Sequence, residues 1–249
     1  MYLRRNAGSP THTSSEPAIT EENFSGRSDR VWSTIASDYR PRHAAPMTLA
    51  FKLPLENFEE TALPERLAMV EDSHTMRGLP FRGLASAVKL HCGATKLDEL
   101  LSKLGLGPNF DVSTRYPLRR FLEFELAAAR AIAAELGDFD LAVAECGAGA
   151  IDLFFDSRAG QAMRSLSGRS PHRMLSSVSV AYQLMVNFGE RSWTKTGDSS
   201  GVFTFRNEML GCTHIFGNFE AALTQTYGID VDYGLVQTSL IDFEFHMRW

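Results

Sequence analysis

Residues 191–205, RSWTKTGDSSGVFTF, and residues 241–249, IDFEFHMRW, mark where the chain's hydrophobic period changes from a helical one to a period of two. In the first, Trp193 with residues 194–197 and then Val202, Phe203, Thr204 and Phe205 read as two strands around the turn-rich Gly197-Asp198-Ser199-Ser200-Gly201, which predicts a hairpin. In the second, Ile241, Phe243, Phe245 and Met247 alternate with Asp242, Glu244, His246 and Arg248. One face of that strand is therefore buried, and the other is wet or faces a ligand. Between them Ile215, Phe216, Phe219, Ala222, Leu223 and Tyr227 fall at helical spacing, and Gly228 ends that helix. Residues 229–238 pair with 240–249 as a second hairpin. The C-terminal part thus reads as a four-stranded antiparallel sheet with one helix inserted between two hairpins.

Working back towards the N-terminus, the pattern is helical. The folded body begins with the short apolar segment 66–70, Ser73 is a candidate N-cap, and a helix runs from Thr75 or Pro80 to His91, ended by Gly93. Thr95 is read as the cap of a short helix carrying Leu97, Leu100, Leu101 and Leu104 on one face, with Asp98 reaching back and Gly105 past its end. Pro117 suits the first turn of a long helix whose stripe includes Leu118, Phe121, Leu122, Ala129 and Ile132. Asp138 or Asp140 restarts the chain, and Ile151, Phe154, Phe155, Ala162, Met163 and Leu166 make a further stripe ending at Gly168. Ser170-Pro171 opens a helix that is apolar nearly all round, with Val180 and Leu184 off its main face, and this predicts a centrally buried position. Helices first and sheet last is the α+β class.

The composition bounds the rest. A chain of 249 residues with 44% hydrophobic and 22% charged side chains can build one core. The division predicted is a disordered arm over 1–46, rich in Ser, Thr, Pro and Gly, an extended lead-in over 47–65, and a single α+β domain over 66–249. Residues 47–55 read as an edge strand or an extended segment holding Pro54. Within the arm, Trp32, Ile35 and Tyr39 lie among arginines at helical spacing and could dock on a partner, or the stretch is simply solvated. The net charge of −5 argues against nucleic acid as a partner. Three cysteines without CxxC spacing suit a reducing compartment, no apolar signal follows the N-terminal arginines, and no run is long enough to span a membrane, so the expected location is cytoplasmic.

No GxSxG, HExxH, P-loop or GxGxxG spacing is present, and no residue set is assigned a catalytic role. Gly147-Ala148-Gly149-Ala150 sits inside a helical stretch and is read as close helix packing, not as a phosphate loop. Cys212, two residues before His214 at a helix start, is a candidate reactive thiol, because a helix N-terminus favours thiolate. A small buried cysteine is the alternative. Cys-x-His supplies two of the four ligands that structural zinc needs, and His91-Cys92 would have to converge with it, so no metal is assigned. A pocket between the helices and the sheet remains as the candidate site, with Tyr116, Arg120, Tyr182, Asn187 and Trp193 as the side chains large or polar beside an apolar stripe. Each could equally be ordinary core or rim packing.

The order of elements, with Arg77-Gly78-Leu79-Pro80-Phe81-Arg82-Gly83-Leu84, Tyr116-Pro117-Leu118, Gly160-Gln161-Ala162-Met163 and the closing 243–249 phrase, resembles a paralogous family of unknown function expanded in myxobacteria. The resemblance covers residues 65–249 and implies a fold, with no assigned chemistry. More loosely, the ending looks like the C-terminal part of 4-vinyl-reductase-type small-molecule-binding domains and their haem nitric-oxide-binding relatives, which implies a sensor module or a dimerising one. The haem branch holds its propionates with Tyr-x-Ser-x-Arg, a spacing missing here, so the resemblance does not extend to haem. The expected function is a non-catalytic small-molecule-binding regulatory or sensor domain for a hydrophobic or aromatic ligand. A homodimeric interaction scaffold with a filled core is the alternative, and an uncharacterised enzyme the third reading.

Overall fold

The computed structural model describes residues 58–249. The predicted arm, its Trp32/Tyr39 patch and the lead-in as far as residue 57 lie outside the described residues. In chain order the elements are α1 (Phe58–Met69), β1 (Thr75–Arg77), α2 (Gly78–Cys92), α3 (Ala94–Leu104), β2 (Arg115–Pro117), α4 (Leu118–Leu136), α5 (Phe139–Asp156), α6 (Arg158–Ser167) and α7 (Pro171–Met185). There follow β3 (Glu190–Gly197), β4 (Ser200–Arg206), α8 (Cys212–Tyr227), β5 (Asp232–Gln237) and β6 (Phe243–Arg248). This is the α+β arrangement read from the sequence, helices first and sheet last.

The C-terminal sheet is antiparallel with order β3-β4-β6-β5, so the two hairpins join through β4 and β6, where Phe203 faces Phe245 and Phe205 faces Phe243. The period-2 alternation puts Phe203, Phe205, Phe243, Phe245 and Met247 on one buried face. Their rings stack along the sheet, with Phe205 4.8 Å from both Phe203 and Phe243. Each such buried side chain contributes about 1.5–3 kcal/mol relative to exposure. Phe219 of α8 packs on this face, 5.1 Å from Phe203.

The helical layer is locked to α8 by backbone contact. A Cβ on Gly147 of α5 would collide with the His214 carbonyl, and one on Gly217 of α8 with the Ala144 carbonyl. A Cβ on Gly83 of α2 would collide with Ala150 of α5, and one on Gly149 of α5 with the Gly83 carbonyl. The Gly-Ala-Gly-Ala run is therefore the close-packing seam expected from the sequence, with α5 held between α2 and α8.

Several local expectations are corrected. Residues 58–65, expected to be extended, belong to α1 despite Pro64. The Asp140 carboxylate accepts the N–H groups of Phe58 and Glu59 at 3.0 and 2.8 Å, a cap supplied from a residue far along the chain and invisible to local pattern. Thr75–Arg77 is a strand and not a helix start, paired with Arg115–Pro117, and α2 begins at Gly78 after an Arg77 cap position, not at Ser73. Pro117 precedes the long helix by one residue. Gly93, and not Thr95, occupies the N-cap of α3, without a side-chain bond. The stripe expected over residues 151–166 divides at Ser157, whose hydroxyl accepts the Gly160 N–H to start α6. Asp138 and Ser170 cap α5 and α7 in the same way. Finally, α7 is not centrally buried: Met174, Leu175 and Val178 are buried, but Val180 is 46% exposed, because α7 forms an outer wall.

Candidate functional site

Behind α7 lies a cavity of about 110 Å³. Its walls come from α5, through Ala150, Ile151, Phe154 and Phe155, from α7, through Met174, Val178, Ala181, Tyr182 and Met185, and from α8, through His214, Asn218, Phe219 and Ala222. Met76, Leu79 and Pro80 of β1 and α2, and Met163 of α6, complete them. Four methionines thus line one small space, and their unbranched thioethers adapt to what fills it. Among the described residues, none of those lining it is Asp, Glu, Lys or Arg.

The polar groups of the cavity are few and individually held. The Tyr182 hydroxyl accepts from Asn218 Nδ2 at 3.2 Å. Burial pushes that phenol well above its usual range, with Glu208 adding to the effect and Arg191 opposing it, so the hydroxyl keeps its proton. The Arg191 guanidinium lies over the Tyr182 ring, 4.6 Å from its centre, a cation-π contact that fixes the ring's outer face. His214, 2% exposed, places Nδ1 2.5 Å from Oε1 of the fully buried Glu125. Its Nε2 has no hydrogen-bond partner among the described residues.

The segment that delivers His214 is held by two buried ion pairs. Arg191 and Glu208 pair at 2.5 Å, and the other Glu208 oxygen accepts the Leu210 N–H at 3.0 Å. Arg66 pairs with Glu59 at 2.5 Å while its guanidinium donates to the Met209 and Leu210 carbonyls at 3.2 and 3.4 Å. Burial alone would lower the Arg66 pKa, but the Glu59 carboxylate more than offsets it and the guanidinium stays charged. Gly211, at φ 82° and against that guanidinium, admits no side chain. The chain entering α8 is therefore pinned at nearly every residue.

Of the sequence candidates, the structure places Tyr182 on the cavity and separates the others from it. Tyr116 stands on β2 in an aromatic group with Phe81 and Phe110, and its hydroxyl accepts the Asp111 N–H at 2.9 Å. Arg120 pairs with Glu123 at 2.6 Å and donates to the Leu104 carbonyl, tying α4 to the end of α3. Asn187 accepts the Thr75 N–H at 2.7 Å and donates to the Ser73 carbonyl at 2.8 Å, a latch on the approach to β1. Trp193 packs between Phe203, His172 and Trp249 on the sheet. These four make the contacts just described and do not line the cavity.

Cys212 is corrected too. It does begin α8, but burial dominates and pushes its thiol up to about 12, with Glu59 adding to the rise, so the helix N-terminus does not produce a thiolate. His91 pairs with Glu145 at 3.1 Å and His214 with Glu125, so the two Cys/His pairs do not converge. Among the described residues no group of three or more His, Cys, Asp or Glu could hold a metal ion, and no helix is long and apolar enough to cross a membrane. His214, Asn218 and the cavity methionines were missed. The signal for His214 was present in the sequence as a histidine on the apolar side of the α8 period, but nothing in it named Glu125 as partner.

Residues 70–249 match the model of a family described as "Protein of unknown function (DUF2378)". The chain belongs to this family. No curated protein matches it. Among solved structures its fold is similar to an H-NOX protein from S. oneidensis in the Fe(II)NO ligation state, at 13% identity and TM-score 0.55, covering 70% of this chain and 98% of that one. An Fe(II) unliganded H-NOX protein from K. algicida is similar at 13% identity and TM-score 0.53, covering 70% and 96%. A structure probing haem distortion in the H-NOX family is similar at 12% identity and TM-score 0.55, covering 70% and 95%. At these identities the likeness concerns the fold, and it agrees with the expected neighbourhood of the sheet-and-helix ending.

Proposed function

We propose that this family member is a non-catalytic small-molecule-binding regulatory or sensor domain, and that the cavity behind α7 is its binding site. The observation that carries this reading is the cavity itself, an apolar space with a handful of anchored polar groups, beside a seam where α5 meets α2 and α8 backbone to backbone. A scaffold with no ligand calls for a filled interior, and among the described residues the exposed large apolar side chains, Met69, Leu90, Leu166, Val180 and Val236, are dispersed over five elements. The fold likeness to haem-containing sensors supports the class of function by analogy.

Haem itself does not fit the residues present. A cavity of about 150 Å³ is what benzene fills, and this one, at about 110 Å³, is far too small for a porphyrin. Its lining also offers no Lys or Arg to pair with two propionates. The ligand proposed is instead a small hydrophobic or aromatic molecule.

Native mass spectrometry of the purified chain together with a thermal-shift screen of single-ring compounds tests the proposal. Ligand at about 100 times its Kd stabilises the folded state by roughly 2.7 kcal/mol, which shows as an upward shift in Tm. No retained ligand and no stabilising compound would overturn the reading.

A further inference from the structure

We propose that the outward faces of α6 and α7 form a basic surface that docks reversibly on an anionic lipid bilayer. Nothing in this surface depends on a ligand in the cavity.

The chain as a whole is acidic, with 30 Asp and Glu against 25 Lys and Arg. Between Asp156 and Glu190, however, there is no Asp, Glu or Lys, and the charged side chains are Arg158, Arg164, Arg169 and Arg173. This stretch makes α6, α7 and the turn joining them. All four arginines are exposed, and among the described residues none pairs with an acidic side chain. Arg164 is held in place by neutral groups: it donates to the Phe155 carbonyl at 3.0 Å, and its guanidinium lies 4.8 Å from the centre of the Phe155 ring. Its charge is therefore not cancelled. A positive patch on a negative molecule turns that face toward an anionic surface.

What lies among the arginines identifies the partner. On α6, Arg158, Ala162, Ser165 and Leu166 fall at i, i+4, i+7 and i+8, and on α7, Arg173, Ser176, Val180 and Gln183 fall at i, i+3, i+7 and i+10. All eight are exposed, so each of these two touching helices turns a basic and aliphatic stripe to solvent. Leu166 is 54% exposed and Val180 46%. No aromatic side chain between residues 157 and 189 is exposed. Protein interfaces concentrate their affinity in aromatic and arginine anchors seated in fitted pockets, and isolated aliphatic side chains among Ser, Ala and Gln give little of that kind. A nucleic-acid backbone would engage the arginines and leave Leu166 and Val180 in water. A bilayer interface takes both, since its anionic headgroups attract the guanidiniums and its acyl boundary receives the aliphatic side chains.

Cosedimentation of the full chain with vesicles of phosphatidylcholine alone, or of phosphatidylcholine with about one-third phosphatidylserine, tests this. The chain should bind the anionic vesicles and not the neutral ones, and should be released when NaCl rises from about 0.1 M to about 1 M. Each arginine near such a surface is worth about fivefold in affinity, so Arg169→Glu with Arg173→Glu should weaken binding about twentyfold or more. Lys89→Glu with Arg130→Glu makes the same change of charge at exposed positions on α2 and α4 and should stay within about threefold of the unaltered chain. Leu166→Gln should weaken binding severalfold. All of these positions are exposed, so each variant should keep its Tm, which is measured alongside. Equal binding to both kinds of vesicle, or to neither, overturns the proposal. Undiminished binding by the Arg169/Arg173 variant overturns the assignment to α6 and α7. Tighter binding to polyglutamate or to a single-stranded oligonucleotide than to the anionic vesicles, or a Leu166→Gln variant that binds as well as the unaltered chain, overturns the choice of a bilayer as partner.

Discussion

Nδ1 of His214 stands 2.5 Å from Oε1 of Glu125, and the two side chains are 3% and 0% exposed although 89 residues separate them. The pair joins the middle of α4 to the first turn of α8, and Phe121 closes over the imidazole edge-on at 5.8 Å. Glu125→Leu leaves the imidazole without its acceptor in a dry site. It should cost about 2–4 kcal/mol in urea unfolding, while the double change with His214→Leu recovers part of that. A double-mutant cycle measures the coupling, and strict additivity would show that the contact contributes nothing.

The seam between α5 and α8 makes a second prediction. Gly147→Ala and Gly217→Ala each force a methyl into a carbonyl of the facing helix. Neither backbone can yield without moving a helix, so each should destabilise by about 1–3 kcal/mol or more. Gly107→Ala, at a position with open space around it, is the control and should be near neutral. Chemical denaturation of the three variants gives the comparison.

Arg66 is fully buried and holds Glu59 and two carbonyls ahead of Gly211. Arg66→Met abandons the Glu59 carboxylate in the interior and should cost about 3–5 kcal/mol. Adding Glu59→Leu should restore much of the loss, since an apolar pair of similar volume avoids the desolvation of two charges. A restored Tm in the double variant is the expected result.

The cysteines should titrate and alkylate in a fixed order. Burial raises all three thiols above the ordinary value, Cys92 with help from Glu135, Cys146 well above it, and Cys212 to about 12. Since iodoacetamide reacts with thiolate, the half-buried Cys92 should be modified first at pH 8. Cys146 and Cys212 should remain unmodified until denaturant is added. Cys212 reacting as fast as Cys92 in the folded chain would show that the start of α8 opens to solvent.

Much of the architecture was legible because it rests on local pattern. The alternation of Phe243, Phe245 and Met247 needs only the pleat of a strand, and the stops at Gly105, Gly137 and Gly228 need only the left-handed conformation that glycine adopts there. The stretches that misled were held from afar. α1 owes its start to Asp140, and β1 owes its existence to a three-residue partner and to a bridge from Met76 to Val186. The site was the least legible part, for the same reason twice over. Glu125, Glu208, Glu59 and Arg66 look like solvent-facing charges until their partners are known. A cavity is a gap between helices, which no single helix encodes.

The glycine contacts along α5 and α8 also set how the cavity can deform. Where backbone rests on backbone there is no layer of side chains to absorb a displacement, so that side of the cavity is stiff. Opposite it stands α7, half solvated, tethered through Tyr182 to Arg191 on β3 and lined with methionines. The wall with room to yield is thus the one formed by α7, whose chain leads through residues 186–189 into β3.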